Sequence, residues 1–294
     1  MRITSEVMVN RSLERLQTRL QAYERTQSQL ATGKRILKPS DDPAGARRAI
    51  GIQQSLRARE QDLKNISDGL GWLNTADSQL QAAGDRMARV RELTVGASTV
   101  AGQDQRNAIA TEVREIRDEL IAIGNHKHLG RPLFGGYADG DAITHNGTEW
   151  QANGGGDEVR RRVSDSETVQ VNVTAHEWMG FADGEDLITM LGNLAEEIEG
   201  GNQAVITGRL ADLDAARVRI GDALSVIGSA TNRVDSARDR ATTLSLTLRT
   251  ELSEVQDVDL AQGLMEQQIQ QVGYEATLQA LAKALPPSLV SFLR

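Results

Sequence analysis

The sequence has no cysteine and few aromatic residues. Its 294 residues include three each of tryptophan, tyrosine and phenylalanine, 3% in all. The lack of cysteine excludes disulfides and zinc-thiolate sites. Aromatic rings bury the largest area per residue, and an enzyme of this length normally uses more of them to fill its core and shape a pocket. Their scarcity favours helices that pack through leucine and alanine.

The chain also lacks a basic balance and an apolar block near its start. A formal net charge of −8 argues against nucleic acid as a main partner, because phosphate binding needs a basic face. Charged residues are spread through the first twenty positions, which is typical of neither a cleavable signal peptide nor a membrane span. We therefore expect no membrane association, and an export route that does not read such a signal if the protein leaves the cell.

No catalytic motif stands out. The sequence has no Gly-x-Ser-x-Gly elbow, P-loop or cysteine nucleophile. His126 and His128 follow a predicted helix end without nearby carboxylates, so we expect no metal site there. Asp139–Asp141 and Asp183–Asp186 lack the ligand spacing of a calcium loop and are interpreted as turns. We predict no catalytic residue, metal or cofactor.

The longest pattern is an apolar stripe between Asn202 and Leu285. Its residues recur at steps of three and four, which predicts a coiled-coil helix rather than one lying on a broad core. The phase slips near Asp257–Asp259, so we predict a break there with the aspartates as helix N-caps. The stripe before the break contains Ile206, Leu210, Leu213, Ile220, Leu224, Ile227, Val234, Ala241, Leu248, Leu252 and Val255.

Three upstream segments have the same spacing and supply partners for that helix. The first ends at Gly33, a suitable C-cap, and the second begins at Pro43 after Asp42 as N-cap and extends to about Thr99. A third helix is predicted from about Asp104 to Asn125. The stripe of the first contains Val9, Leu13, Leu16, Leu20, Tyr23, Gln27 and Leu30.

Residues 130–184 differ in composition, with clustered glycines and most of the aromatic residues. Ile143–Trp150 reads as a hairpin with a type I′ turn at Asn146-Gly147. Alternation around Val171 predicts a half-buried strand, and Arg160–Arg162 is interpreted as the solvent edge of another. We therefore predict a small β-rich insertion, followed by a helix from about Glu185 to Glu199.

The two chain ends are predicted to pair. Each forms a helix of about 28 residues, roughly 40 Å long, which suggests an antiparallel pair apart from the central bundle. The fold class is mainly α: a long-helix coiled-coil bundle with paired N- and C-terminal helices and a small β-rich insertion. The predicted domains are 1–42 with 257–294, 43–129 with 185–256, and 130–184.

We predict that the terminal helices form an assembly interface, because one narrow apolar stripe facing one partner gives marginal stability. They would be loosely ordered in the monomer and consolidate against other copies. Arg11, Arg15 and Arg19 lie at i, i+4 spacing and form either a solvated face or a basic ladder that docks on the acidic last helix. The predicted interface residues are Val9, Leu13, Leu16, Leu20, Tyr23, Leu30, Leu260, Leu264, Tyr274, Leu278, Leu281, Leu285 and Phe292.

Several segments resemble the bacterial flagellin superfamily. They are Met1–Thr4, Leu30–Pro43, Val90–Val95 and Leu285–Arg294. Within the superfamily, the loop that ends in Ser-Asp-Asp-Pro and the step Leu133–Tyr137 are closest to the members at the junction between hook and filament. The resemblance covers the chain up to Tyr137 and its last third, and the middle insertion matches no family.

The resemblance implies a structural protein of the bacterial flagellum. It would be secreted unfolded through the flagellar type III export channel with the help of a cytoplasmic chaperone, and would assemble outside the cell. Implied partners are further copies in a helical layer, hook-associated protein 1 on one side, and flagellin, or the filament cap before filament growth, on the other. One alternative is a flagellin that forms the filament itself, and another is a partner-binding coiled-coil signalling module. An enzyme is the least favoured reading.

Overall fold

The computed structural model describes residues 2–100, 102–181 and 186–284. These residues form long helices and three small antiparallel hairpins, so the predicted mainly α fold class is confirmed. The helices are α1 (Arg2–Thr32), α2 (Pro43–Thr99), α3 (Gln103–Gly124), α4 (Ala175–Trp178), α5 (Leu187–Gly200), α6 (Gln203–Gln256) and α7 (Leu260–Ala284). The strands are β1 (Lys127–His128), β2 (Arg131–Pro132), β3 (Ile143–His145), β4 (Trp150–Ala152), β5 (Arg160–Arg162) and β6 (Thr168–Gln170).

The chain divides into two compact units. The first contains Met1–Ala58 and Ser245–Arg294, and the second contains Arg59–Leu244. Helices α2 and α6 therefore contribute residues to both units. The finer division of the second unit into a helical domain and a β-rich domain stays a prediction.

The predicted seam of α6 lies in the core of the second unit as far as Ala241, except that Leu210 and Leu224 are half-buried; the last three predicted residues, Leu248, Leu252 and Val255, are half-buried and belong to the first unit. From Leu213 onward the buried residues of α6 follow one another at steps of three and four, as coiled-coil packing requires. Alanines alternate with larger side chains at most of these positions, and the sequence prediction missed all of the alanines before Ala241. The buried residues of the seam are Ile206, Leu213, Ala216, Ile220, Ala223, Ile227, Ala230, Val234, Ala237 and Ala241. Helix α2 supplies a matching series that includes the fully buried Leu73, Leu80 and Met87.

The predicted helix boundaries are confirmed at three places. Gly33 follows α1 with a φ of 68°, and Asp42 Oδ1 accepts a 2.8 Å hydrogen bond from the Gly45 N–H at the start of α2. The break after α6 is present, and Asp259 caps α7 by accepting from the N–H groups of Ala261 and Gln262. Asp257 is not a cap, because its carboxylate accepts from the Ser253 hydroxyl at the end of α6 instead.

The structure confirms the predicted hairpin at Ile143 but not the predicted type of its turn. β3 and β4 pair as predicted, with His145 opposite Trp150. Four residues join them, and φ at Asn146 is not positive, so the predicted type I′ turn is wrong. The Asn146 side chain instead accepts hydrogen bonds from the N–H groups of Thr148 and Glu149, which stabilises an Asx turn.

Ion pairs hold the β5–β6 hairpin against α2. Arg161 donates to Asp68 at 2.8 Å and Arg162 to Asp62 at 3.2 Å, and both carboxylates belong to α2. The prediction that Arg160–Arg162 form a solvent edge holds for the two outer residues, which are exposed, and is wrong for Arg161, which is half-buried. After the insertion, α5 buries its predicted residues Leu187, Leu191, Leu194 and Ile198.

Candidate assembly surface

Helices α1 and α7 form an antiparallel pair, as predicted. Where α1 ends and α7 begins, the Val258 N–H donates to the Gly33 carbonyl at 2.9 Å, and Leu30 lies against Gly263. Farther along, the guanidinium of Arg19 lies beside Gly273. Residue numbers thus rise along one helix as they fall along the other.

The side of α7 that faces α1 consists mainly of small and polar residues, together with Tyr274. Gly263 is buried, and the half-buried positions that follow it at helical spacing are Gln267, Gln270, Gly273, Tyr274 and Thr277. Across from them, α1 contributes the half-buried Leu16, Tyr23 and Leu30 together with the buried Thr26. The predicted stripe of α1 therefore faces inward in part.

The large apolar residues of α7 are exposed to solvent. Leu264 is 58% exposed and Ile269 is 67% exposed. Leu260, Leu264 and Leu278 form one stripe along the helix, and Met265, Ile269 and Val272 form a second stripe beside it. We call these six residues together the α7 apolar face. Sequence reasoning missed Met265, Ile269 and Val272, although their steps of four and three form a stripe of their own.

The remaining predicted interface residues are divided between exposed and undescribed positions. On α1, Leu13 and Leu20 are exposed. Arg11, Arg15 and Arg19 are also exposed and form no ion pair with any residue that the structure describes. Val9 and Leu281 lie in the helices, but their side chains are outside the described set, and Leu285 and Phe292 lie outside the described residues.

The loop between α1 and α2 is hydrogen-bonded to the C-terminal end of α6. The Arg35 N–H donates to the Gln256 carbonyl at 2.7 Å, and its guanidinium donates to the Val255 carbonyl. A backbone hydrogen bond from Lys38 holds the pKa of Asp41 below its ordinary value. The pKa of Asp42 is lowered in the same way, first by the Gly45 N–H and then by Arg35.

No candidate metal centre is present among the described residues. No three histidine, aspartate or glutamate side chains in residues 2–100, 102–181 and 186–284 are grouped to hold an ion. His128 Nδ1 instead lies 3.1 Å from the Thr75 hydroxyl, and its ring contacts Trp72 edge-on. Across the same ranges, no helix combines the length and apolar character that a membrane span requires.

Comparison with known proteins identifies the family. The model of the bacterial flagellin N-terminal helical region matches residues 3–138, and that of the C-terminal helical region matches residues 210–293. The chain belongs to the bacterial flagellin family. The resemblance found in the sequence is therefore confirmed, and the matched regions include the helices of the α1–α7 pair.

Individual relatives fall into two groups. The chain is 24% identical to the flagellin of Bacillus subtilis over the full length of both, and 25% identical to flagellar hook-associated protein 3 of Salmonella typhimurium over 59% of this chain and 55% of that protein. Its fold is similar to that of the flagellar junction protein FlgL from Legionella pneumophila, with a TM-score of 0.61 at 13% identity, covering 72% of this chain and all of that one.

Proposed function

We propose that this chain is a non-enzymatic structural subunit of the flagellum that assembles into a helical layer at the junction between hook and filament. The observation that carries the proposal is the α7 apolar face. Moving a side chain of this size from full exposure to full burial contributes about 1.5–3 kcal/mol, and these residues, which are 38–67% exposed, have roughly half of that free energy still to gain. Packing against other copies would bury the face.

The junction role is supported by the segment that leads into the insertion. Leu133 and Phe134 are fully buried, and the Phe134 ring packs edge-on against Trp178. This is the Leu133–Tyr137 step in which the sequence resembles junction members rather than flagellins. The solved structures similar in fold include proteins named as junction or hook-associated proteins.

The proposal implies a location and a set of partners. The protein would act outside the cell after export through the flagellar type III apparatus, with a chaperone before export. In the layer it would contact copies of itself, hook-associated protein 1, and flagellin or the filament cap. We assign assembly to the predicted domain 1–42 with 257–294.

Deletion of the gene tests this function. Negative-stain microscopy should show hooks without filaments, and flagellin should accumulate in the culture medium, because filament subunits would lack a base on which to assemble. Reintroducing the wild-type gene should restore filaments and is the control. Normal filaments in the deletion strain would contradict an essential junction role.

A filament-forming flagellin is the second candidate, and the full-length match to the Bacillus subtilis flagellin favours it. The two functions differ in what the purified protein does alone. A flagellin would polymerise into long filaments when seeded, whereas a junction subunit would stop at short assemblies. Electron microscopy of seeded, concentrated protein separates the two.

A further inference from the structure

The tip of the β1–β2 hairpin has an unusual residue in a strained position. Leu129 and Gly130 join the strands, with φ of 51° and 81°, as a type I′ turn requires. Among the described residues, Leu129 is the one non-glycine residue with positive φ. Leucine is disfavoured there because its Cβ crowds the following carbonyl oxygen.

Packing does not explain this leucine, because the residue is 83% exposed. Glycine or asparagine would form the same turn with less strain and without exposing an apolar group to water. A strained backbone that presents an exposed apolar side chain points to a binding role. The hairpin tip therefore resembles a protruding anchor for another surface.

A cavity of about 300 Å³ in the same unit has apolar walls that could bind an apolar side chain. It lies between the β6–α4 region and α6. Val173, Trp178, Ala223 and Val226 supply apolar walls. We call it the α4–α6 cavity.

The tip carries the positive charge of Arg131, and the lining of the cavity includes two carboxylates, those of Glu177 and Asp222, and one guanidinium. Arg131 follows the tip, is exposed and forms no ion pair with a described residue, whereas Lys127 pairs with Asp141. Asp222 lines the cavity, is exposed and likewise has no ionic partner in the described ranges. Arg219 also lines the cavity, with its guanidinium against Gly180.

We propose that Leu129 of one copy inserts into the α4–α6 cavity of a neighbouring copy, with Arg131 reaching Asp222. This contact joins two different surfaces of the same protein, so repeating it generates a ring or a helix rather than a closed dimer. The inference rests on the proposed helical assembly and adds a specific contact outside the terminal helices.

Cysteine cross-linking tests this contact directly, because the natural chain has no cysteine. Leu129→Cys and Val226→Cys are made as separate full-length variants and co-expressed in the deletion strain, and isolated flagella are oxidised. The expected product is a disulfide-linked pair that contains one copy of each variant. Val218→Cys replaces Val226→Cys in the control, because Val218 is exposed on α6 but does not line the cavity.

Each result bears on the inference. Pairs of Leu129→Cys with itself, or equal linkage to Val218→Cys, would overturn it. Protein present in flagella without cross-links would also overturn it while leaving the proposed function intact. Absence of the protein from flagella that still carry filaments would overturn both.

Leu129→Gly provides a second test that does not depend on disulfide geometry. It relieves the turn strain, so the purified monomer should be at least as stable to thermal unfolding as the wild type. The same variant should lower the fraction of cells with filaments severalfold. Unchanged filament formation would overturn the inference, because the turn would then need no leucine.

Discussion

Leu30 of α1 packs directly against Gly263 of α7. A Cβ atom at position 263 would lie 2.8 Å from Leu30 Cδ2 and 3.4 Å from Val258 Cγ2. The absence of a side chain at Gly263 therefore lets the two helices approach closely. This close contact uses the small side of α7 and leaves the α7 apolar face free.

Gly263→Val is expected to loosen the α1–α7 pair, because overpacking a close contact costs about 1–3 kcal/mol. Backbone amides of both helices should exchange hydrogen faster in solution. Gly221→Val is the control, since position 221 on α6 has no neighbouring atom within 4 Å. Adding Leu30→Ala to Gly263→Val should reverse part of the increase in hydrogen exchange. Equal exchange rates in the Gly263→Val and Gly221→Val variants would contradict a close contact at Gly263.

Asp62 is expected to be the most important carboxylate in fastening the β5–β6 hairpin. It is fully buried and pairs with Arg59 and Arg162, while Arg59 also pairs with Asp165, so Asp62→Ala should destabilise the protein by about 1.5–3 kcal/mol through the loss of charge-assisted hydrogen bonds. Asp68→Ala is the matched control. It breaks the more exposed pair with Arg161 and should cost less than about 1 kcal/mol in denaturant unfolding. Equal losses in the two variants would contradict this ranking.

The loop before α2 should be sensitive to acid through Asp42. Its pKa is lowered in the folded state, so its contribution to stability is present above the ordinary carboxyl pKa and lost as pH falls through the folded value. Asp42→Asn keeps an N-cap but removes the charge. The fall in thermal midpoint between about pH 6 and pH 3 should be smaller than in the wild type; an equal fall would contradict this role.

The basic ladder on α1 should act in assembly rather than in folding. Changing Arg11, Arg15 and Arg19 together to glutamate should leave the thermal unfolding midpoint of the purified monomer unchanged, because the three have no described ion-pair partner to lose. Filaments should be lost, whereas the triple lysine variant, which keeps the charge, should retain them. Normal filaments with the glutamate variant would favour the solvated-face interpretation.

Sequence periodicity predicted the long helices because a coiled-coil seam is a local, repeated signal. Caps at Asp42 and Asp259 were predictable for the same reason: the side chain bonds its own neighbouring backbone. The positions of the leucines in α7 could not predict which side of the helix packs against α1, since Gly263 determines that side. The strain at Leu129 also required coordinates, because leucine carries no signal for positive φ.

The most direct test of the central claim replaces two residues of the α7 apolar face. Leu264→Gln with Ile269→Gln keeps good helix formers while removing apolar surface, and Val205→Gln with Val218→Gln on α6 is the control. Each pair is expressed in the deletion strain, with immunoblots of the medium to confirm export and negative-stain microscopy to count filaments. We predict that the α7 variant is exported but leaves hooks bare, whereas the α6 variant supports filaments. Normal filaments on cells carrying the α7 variant would contradict the claim that this face assembles the subunit.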